Sequence, residues 1–399
     1  MRCEVCGSSD VIPVLDLGNQ PLCDDLIPLE SDLSSHRYLL KIHFCRNCNT
    51  ALQEKNVEKQ TLFPSTYHYR ARNTPSVLKS MEQLVDDVLD NRIESLAGKK
   101  VLDVGCNDGS LLNYFAEKGA ITYGIDPTDA VLEGREDHTL IQDFFSPYSA
   151  LSFKKRFGFP DVVTFTNCFA HIENMHELIT ALSTLMGPNT LVIIENHYLK
   201  SVLEGMQFDT FYHEHPRTYT AKSFEVIAEL LGARLVDLQL TSRYGGNIRA
   251  YITRNESFEI GHPYEEKYDF ESNFEKVSNF IPQWKESTLR SIDDAVEKDG
   301  HPLVGIAFPG RASILINILG LTPDQLSATY EIKGSIKTGN YIPGTRIPIL
   351  PEQDLLERLV RPQTVLNLAW HIEQDVKNNL AKYEYYPQII NILNRSLMA

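Results

Sequence analysis

The sequence predicts an α/β protein in three parts: a small zinc-binding domain, a central Rossmann-like domain and a C-terminal Rossmann-like α/β domain. Three stretches carry this reading. Paired cysteines open the chain and recur before residue 50. The run "VLDVGCNDGSLLNYFAEKGAITYGIDP" lies in the middle, and "PLVGIAFPGRASILINILG" comes late. Each of the last two runs strand, glycine turn, helix, the unit that brings backbone amides close to a bound ligand. The parts are placed at residues 1–66, 67–270 and 271–399.

The N-terminal cysteines are Cys3 and Cys6 in "CEVC", then Cys45 and Cys48 in "CRNC". Each knuckle supplies two sulfurs from one tight turn, and two knuckles complete a tetrahedral site suited to Zn²⁺. Sulfur at all four positions leaves none open for water, so the metal is structural. Cys23 in "PLCDDL" and His43 beside the second knuckle are rival ligands that this reading leaves out. Cys106 and Cys168 sit in apolar stretches and read as small buried residues.

A helix comes next, with Thr74 as N-cap, Pro75 at its first position, and Val77, Leu78, Met81, Leu84, Val85 and Val88 at helical spacing as far as Gly98. After it, strand Val101–Val104 leads into the turn Gly105–Gly109, a helix starts near Ser110, and "ITYGID" forms a second strand. The turn "GCNDG" is not the dinucleotide pattern GxGxxG, so NAD is the weaker ligand. Asp103 before the turn and Asp126 ending the second strand suit S-adenosylmethionine (SAM). An acid there tolerates a sulfonium, and the other grips ribose hydroxyls. The cofactor set is Asp103, Gly105, Asn107, Gly109, Asp126, Asp143, Phe144 and Asn167. Phe144 or Phe145 in "IQDFFS" fits either the adenine or the core. "VVTFTNCFAH" brings Asn167, Cys168 and His171, and "TLVIIENHYL" brings Glu195, Asn196 and His197, to the edge where parallel strands end.

The C-terminal part opens with a long helix from about Asn273. Arg311 and Ser313, at the start of the helix after "GIAFPG", are placed to hold a diphosphate. Lys337, Tyr341 and Arg346 lie in the turn-rich "KTGNYIPGTRIPIL". The rival reading is a domain that merely packs.

The run "FDTFYHEHPRTY" holds Tyr212, His213, Glu214 and His215. Its histidines at i and i+2 do not share a helix face, which counts against a protease-like zinc site. With "IENHYL", "RYGGNIRAYI", "LDLGNQPL" and "LAWHI", it makes the whole chain resemble the sugar C-methyltransferases. Those SAM-dependent enzymes of class I methyltransferase fold methylate a ring carbon of nucleotide-linked 4-keto deoxysugars. The resemblance implies a zinc-bearing first domain and a last domain that helps hold the sugar nucleotide. It also implies His215 as base, with Tyr212, Glu214, His171 and either Tyr67 or Tyr69 beside it. By their own placement, Asn196 at the strand edge and Arg311, Ser313, Lys337, Tyr341 and Arg346 in the last domain are expected on the substrate. The chain departs from the family at "PRTY" after the histidine run, at Tyr244 in "YGGN", and at "GIAFPGRA".

A carbon nucleophile requires an enolate. A ketone acidifies the neighbouring C–H, a general base removes the proton, and donors stabilise the oxyanion. Imidazole titrates near neutrality and suits the first task. The expectation is C-methylation, at C3. Rival readings are O- or N-methylation of a nucleotide sugar or other small metabolite, and a catalytically dead binding protein.

Composition narrows the classes further. A net charge of −15 argues against a nucleic-acid partner, because phosphate binding rests on Lys and Arg. No apolar run reaches 18 residues, so no membrane span is expected. Seven cysteines without a secretory leader point to a reducing, cytoplasmic setting. The expected partner is a small-molecule nucleotide sugar, and the expected state a monomer or weak homo-oligomer.

Overall fold

The structure is a computed structural model that describes residues 1–259, 261 and 266–394, the side chain of Tyr244 excepted. The N-terminal strands are β1 (Val11–Pro21), β2 (Ile27–Pro28), β3 (Arg37–Cys45) and β4 (Ala51–Gln53). The middle of the chain supplies β5 (Lys100–Val104), β6 (Ile121–Asp126), β7 (Thr139–Gln142), β8 (Val162–Thr166) and β9 (Leu191–His197). It continues through β10 (Arg217–Thr218), β11 (Arg234–Thr241) and β12 (Asn247–Thr253). The last strands are β13 (Leu303–Ile306), β14 (Leu326–Glu331), β15 (Asn340–Tyr341), β16 (Pro348–Pro351), β17 (Thr364–Asn367) and β18 (Gln388–Asn391).

The central sheet has the order β11-β12-β9-β8-β5-β6-β7, with β12 antiparallel to both neighbours. Its inner strands, Val101–Val104 and Leu191–Ile194 among them, are buried along their length. Near-continuous apolar runs of this kind belong to a parallel sheet covered on both faces. The C-terminal sheet has the order β18-β17-β13-β14-β16-β15-β2, of which the first five strands are parallel. Each sheet reverses its winding direction once: beside β5, where β6 and β8 leave to opposite sides, and beside β13, where β14 and β17 do. Ligands bind at such switch points, beyond the carboxyl ends of the strands. Here both switch points open onto one cavity.

The helices follow the sequence pattern closely. Val77, Met81, Leu84, Val85 and Val88 form the buried face of Pro75–Asn91; Thr74 occupies the N-cap position, but its hydroxyl makes no capping bond. This helix stops seven residues before Gly98. The long C-terminal helix runs Phe270–Asp299, three residues earlier than its apolar pattern indicates, because Asp269 caps it through Ser272 N. No described helix is long and apolar enough to cross a membrane.

The sheets exchange strands. β2, from the N-terminal segment, pairs with β15 at the edge of the C-terminal sheet, and β10 pairs with β4 of the N-terminal sheet. One apolar core joins Leu40, Ile42 and Phe44 to Phe274, Trp284 and Leu315, while another joins Cys3, Cys45 and Cys48 to Phe169, Ile194 and Phe224.

Candidate active site and metal centre

Cys3, Cys6, Cys45 and Cys48 place their sulfurs within 4.8 Å of one another. Cys3 Sγ lies 3.5 Å from Cys48 Sγ, and Cys6 Sγ 3.5 Å from Cys45 Sγ. Tetrahedral zinc with bonds of about 2.3 Å spaces its sulfurs about 3.8 Å apart, so the donor set fits the metal. Cys23 and His43 are outside it. The Cys23 thiol is buried against Ser313 Oγ at 3.4 Å, and His43 faces Glu54. Among the described residues no other His, Cys, Asp and Glu group meets the geometry for a metal.

The shared cavity measures about 440 Å³. Asp103, Gly105, Asn107, Asp126, Phe144 and Asn167, all expected to meet the cofactor, line it. Burial pushes the Asp103 carboxyl up to about 7, opposed by the Thr164 hydroxyl that donates to it at 2.6 Å. Asp126 Oδ1 accepts from Thr128 N and Oδ2 from Asn107 N, both at 2.9 Å. With the Thr128 hydroxyl, which also donates to Oδ1 at 2.5 Å, these bonds fix the carboxylate and leave a lone pair on Oδ2 for a ribose hydroxyl. The Asn107 side chain is spent on structure, joining Tyr69 O and Ala71 N to the turn.

Two residues of the expected cofactor set are not on the wall. Gly109 is the N-cap of helix Ser110–Glu117, in the left-handed region at φ 74°. Asp143 is exposed and accepts from Phe144 N. Phe145 lines the cavity beside Phe144 while also packing edge-on against Phe165.

Gly105 is the tightest point of the turn. Its φ is +70°, and a Cβ there would stand 2.6 Å from Cys168 Cβ. Gly105→Ala must push the turns after β5 and β8 apart, at a cost of about 1–3 kcal/mol. Calorimetry should show SAM binding weakened tenfold or more, with the zinc content unchanged.

The cavity also gathers two histidines around His215. Its ring lies 5.0 Å from those of His171 and His197 and 4.1 Å from Tyr212. His215 Nδ1 meets Thr210 O at 3.1 Å, and Nε2 meets Tyr212 Oη at 3.0 Å. A carbonyl only accepts, so Nδ1 carries the proton and Nε2 accepts from the tyrosine. Burial drives His215 well below its ordinary value, helped by His171, His197 and Arg311 nearby. Burial alone lowers His171 to about 4, and burial with Arg311, His171 and Arg243 lowers His197 to about 3. The cluster is neutral at pH 7. Glu214 is raised to about 8 by burial and by Asp24, and its Oε2 has no partner.

Tyr67 and Tyr69 both reach the cavity, with different neighbours. Tyr67 hydrogen-bonds Asp24 and feels the charges of Asp24, Glu214 and Tyr212. The Tyr69 backbone is tied to the cofactor turn through Asn107, and its ring packs with the core around Val77.

From the C-terminal domain come Pro309, Gly310, Arg311, Lys337 and His371. Arg311 Nε stands 3.2 Å from Asp209 Oδ2, which also accepts from Trp370 Nε1 at 3.0 Å. Lys337 Nζ donates to Phe308 O at 2.8 Å.

The other expected substrate residues point elsewhere. Ser313 is buried one residue into its helix, against Cys23. Tyr341 donates to Leu29 O, and Arg346 to the carbonyls of Ser31, Asp32 and Leu33, so both fasten the N-terminal segment. Asn196 is buried outside the cavity wall. Conversely, Asp24, His68, His197, Arg243 and His371 reach the cavity although the sequence reading gave them no role. His197 carried a signal as the last residue of a parallel strand, and Arg243 and His371 lie in the runs "RYGGNIRAYI" and "LAWHI".

Fold and cavity are those of a class I methyltransferase with a metal-binding domain before it and a second α/β domain after it. A family model described as a methyltransferase domain matches residues 76–238. One described as a C-methyltransferase C-terminal domain matches 242–387, and one for a zinc binding domain matches 3–63. C-methyltransferase NovU of Streptomyces niveus is 27% identical over 95% of this chain and 91% of its own. A ubiquinone biosynthesis O-methyltransferase of Pasteurella multocida is 32% identical, but over only 27% of this chain and 50% of its own. Among solved structures, the magnesium protoporphyrin IX methyltransferase of Synechocystis aligns over 45% of this chain and 83% of its own, at 20% identity and a TM-score of 0.36. The chain belongs to the SAM-dependent C-methyltransferases that carry this zinc-binding domain and this C-terminal domain.

Proposed function

We propose that the protein C-methylates a nucleotide-linked 4-keto deoxysugar at C3, through an enolate. The observation that carries this reading is the hydrogen-bonded pair of neutral His215 and Tyr212, in the same cavity as Asp103 and Asp126. SAM, when bound, supplies an electrophilic methyl group.

Asp126 holds the ribose, and Asp103 and the Gly105 turn hold the rest of the cofactor. Tyr212 turns its hydroxyl from His215 Nε2 to the substrate carbonyl oxygen, which frees Nε2 to take the proton from the adjacent carbon. Thr210 O keeps Nδ1 protonated and the ring oriented. In the empty site His215 has little affinity for a proton, and the negative charge forming beside it raises that affinity. Glu214, protonated at neutral pH, and Tyr67 donate to sugar oxygens, with His171 completing the oxyanion's surroundings. Arg311 and Lys337 face the diphosphate. The division at 1–66, 67–270 and 271–399 gives these parts their tasks: metal, methyl donor and nucleotide.

The test is solvent exchange. Incubated in D₂O without SAM, the enzyme should place deuterium on the carbon beside the ketone of a dTDP-, GDP- or CDP-linked 4-keto sugar. His215→Asn should abolish this exchange. Methyl transfer to oxygen or nitrogen without any exchange would replace this reading.

A further inference from the structure

The segment after the histidine run, "PRTY", binds the N-terminal domain. Arg217–Thr218 forms β10 and pairs with Leu52 and Ala51 of β4. Gln53, the last residue of β4, reaches back from there to the site. Its Nε2 donates to Tyr212 O at 2.7 Å and to His215 O at 2.9 Å, and its backbone N donates to Pro216 O at 2.9 Å. His215 N closes the same turn onto Tyr212 O at 2.8 Å. One buried side chain thus bridges both ends of the turn that carries Tyr212, Glu214 and His215.

A second bridge reaches His171. The Arg217 guanidinium is buried, and it donates to Ile172 O, to Glu173 O and to the carboxylate of Glu4. Ile172 and Glu173 directly follow His171, and Glu4 lies between Cys3 and Cys6 in the first knuckle. Both histidine segments are therefore tied to the zinc-binding domain, through Gln53 and through the Glu4–Arg217 pair.

We propose that Gln53, together with the Glu4–Arg217 pair, positions His215 and His171 for methyl transfer, so that the zinc-binding domain sets the geometry of the acceptor site. Gln53 touches neither donor nor acceptor; it acts through the backbone of Tyr212 and His215. The kinetic part rests on the reading of His215 as base. The spectroscopic part does not.

Gln53→Met keeps the length of the side chain and removes both donors. A displacement of catalytic groups by about 1 Å costs on the order of 100-fold in rate, so kcat should fall about 10- to 100-fold. The SAM dissociation constant should stay within about twofold, and zinc at one per chain. In protein labelled at histidine, the ring signals of His215 and His171 should shift while that of exposed His301 does not. Unchanged kcat and ring signals would overturn the proposal, as would loss of zinc or of SAM affinity, which would mark general damage. Should Gln53→Met prove insoluble, Glu4→Gln asks the same question from the more exposed end of the second bridge. It should shift the His171 signal and lower kcat, and an unshifted signal at full activity would overturn the proposal. A fully active His215→Asn would remove the base assignment, yet leave the ring-shift test intact.

Discussion

His215→Asn is expected to keep SAM and zinc and to lose methyl transfer, with kcat down by about 10²–10⁴-fold, the usual worth of a positioned general base. Asparagine retains a donor toward Thr210 O in place of Nδ1 and loses Nε2, so the turn survives while the proton acceptor does not. The pH profile of the wild type gives the same assignment a second check. His215 must be unprotonated to act, and burial with His171, His197 and Arg311 beside it holds its value well below 6.5. At saturating SAM, kcat/KM for the acceptor should therefore stay level as the pH falls toward 6.5 and drop only below it. Asp103 behaves differently. Its carboxyl is raised to about 7, and the ionised form suits the cationic donor, so kcat/KM for SAM should decline as the pH falls through 7. An acceptor profile already falling at pH 7.5, or a fully active His215→Asn, would remove His215 from the mechanism.

What could be read from the sequence was what is local in it. The zinc site is written in two four-residue knuckles, and the cofactor turn in "VLDVGCNDG" with "YGID", where strand, turn and acid follow one another. Contacts across three hundred residues leave no such trace. Tyr341 and Arg346 have the right chemistry for a sugar nucleotide, yet carbonyls from residues 29–33 claim them. Ser313 sits at a helix start as an anion ligand would, but helix phase turns it to Cys23. Asp24 is the converse case: nothing in "PLCDDL" marks it, and the fold sets it beside His68 at 3.4 Å and against Tyr67 and Glu214. "PRTY" departs from the family pattern where its partners are Glu4 and Gln53, more than 150 residues away in the chain.

Loss of the metal should be the most disruptive single change outside the cavity. Structural zinc in small domains contributes about 10–16 kcal/mol of apparent binding energy, most of it realised only when the domain folds. Here Cys3, Cys45 and Cys48 also pack into the apolar core that holds Phe169, Ile194 and Phe224. Cys48 Sγ lies 3.1 Å from Thr50 Oγ1, which lies 2.8 Å from Ser223 Oγ near the start of helix Ala221–Leu230. The metal thus stands behind one edge of the methyltransferase domain. Cys48→Ser, or a strong chelator, should release zinc, lower the melting temperature by about 10 °C or more, and abolish methyl transfer. The cofactor turn draws its bonds from Ile125, Asp126 and residues 69–72 instead. SAM affinity in the zinc-free protein, measured below its melting temperature, should consequently fall less than methyl transfer does. Equal loss of both would mean that the zinc-binding domain supports the whole central fold rather than its acceptor side. Retention of both would mean that the four cysteines hold no metal the fold depends on.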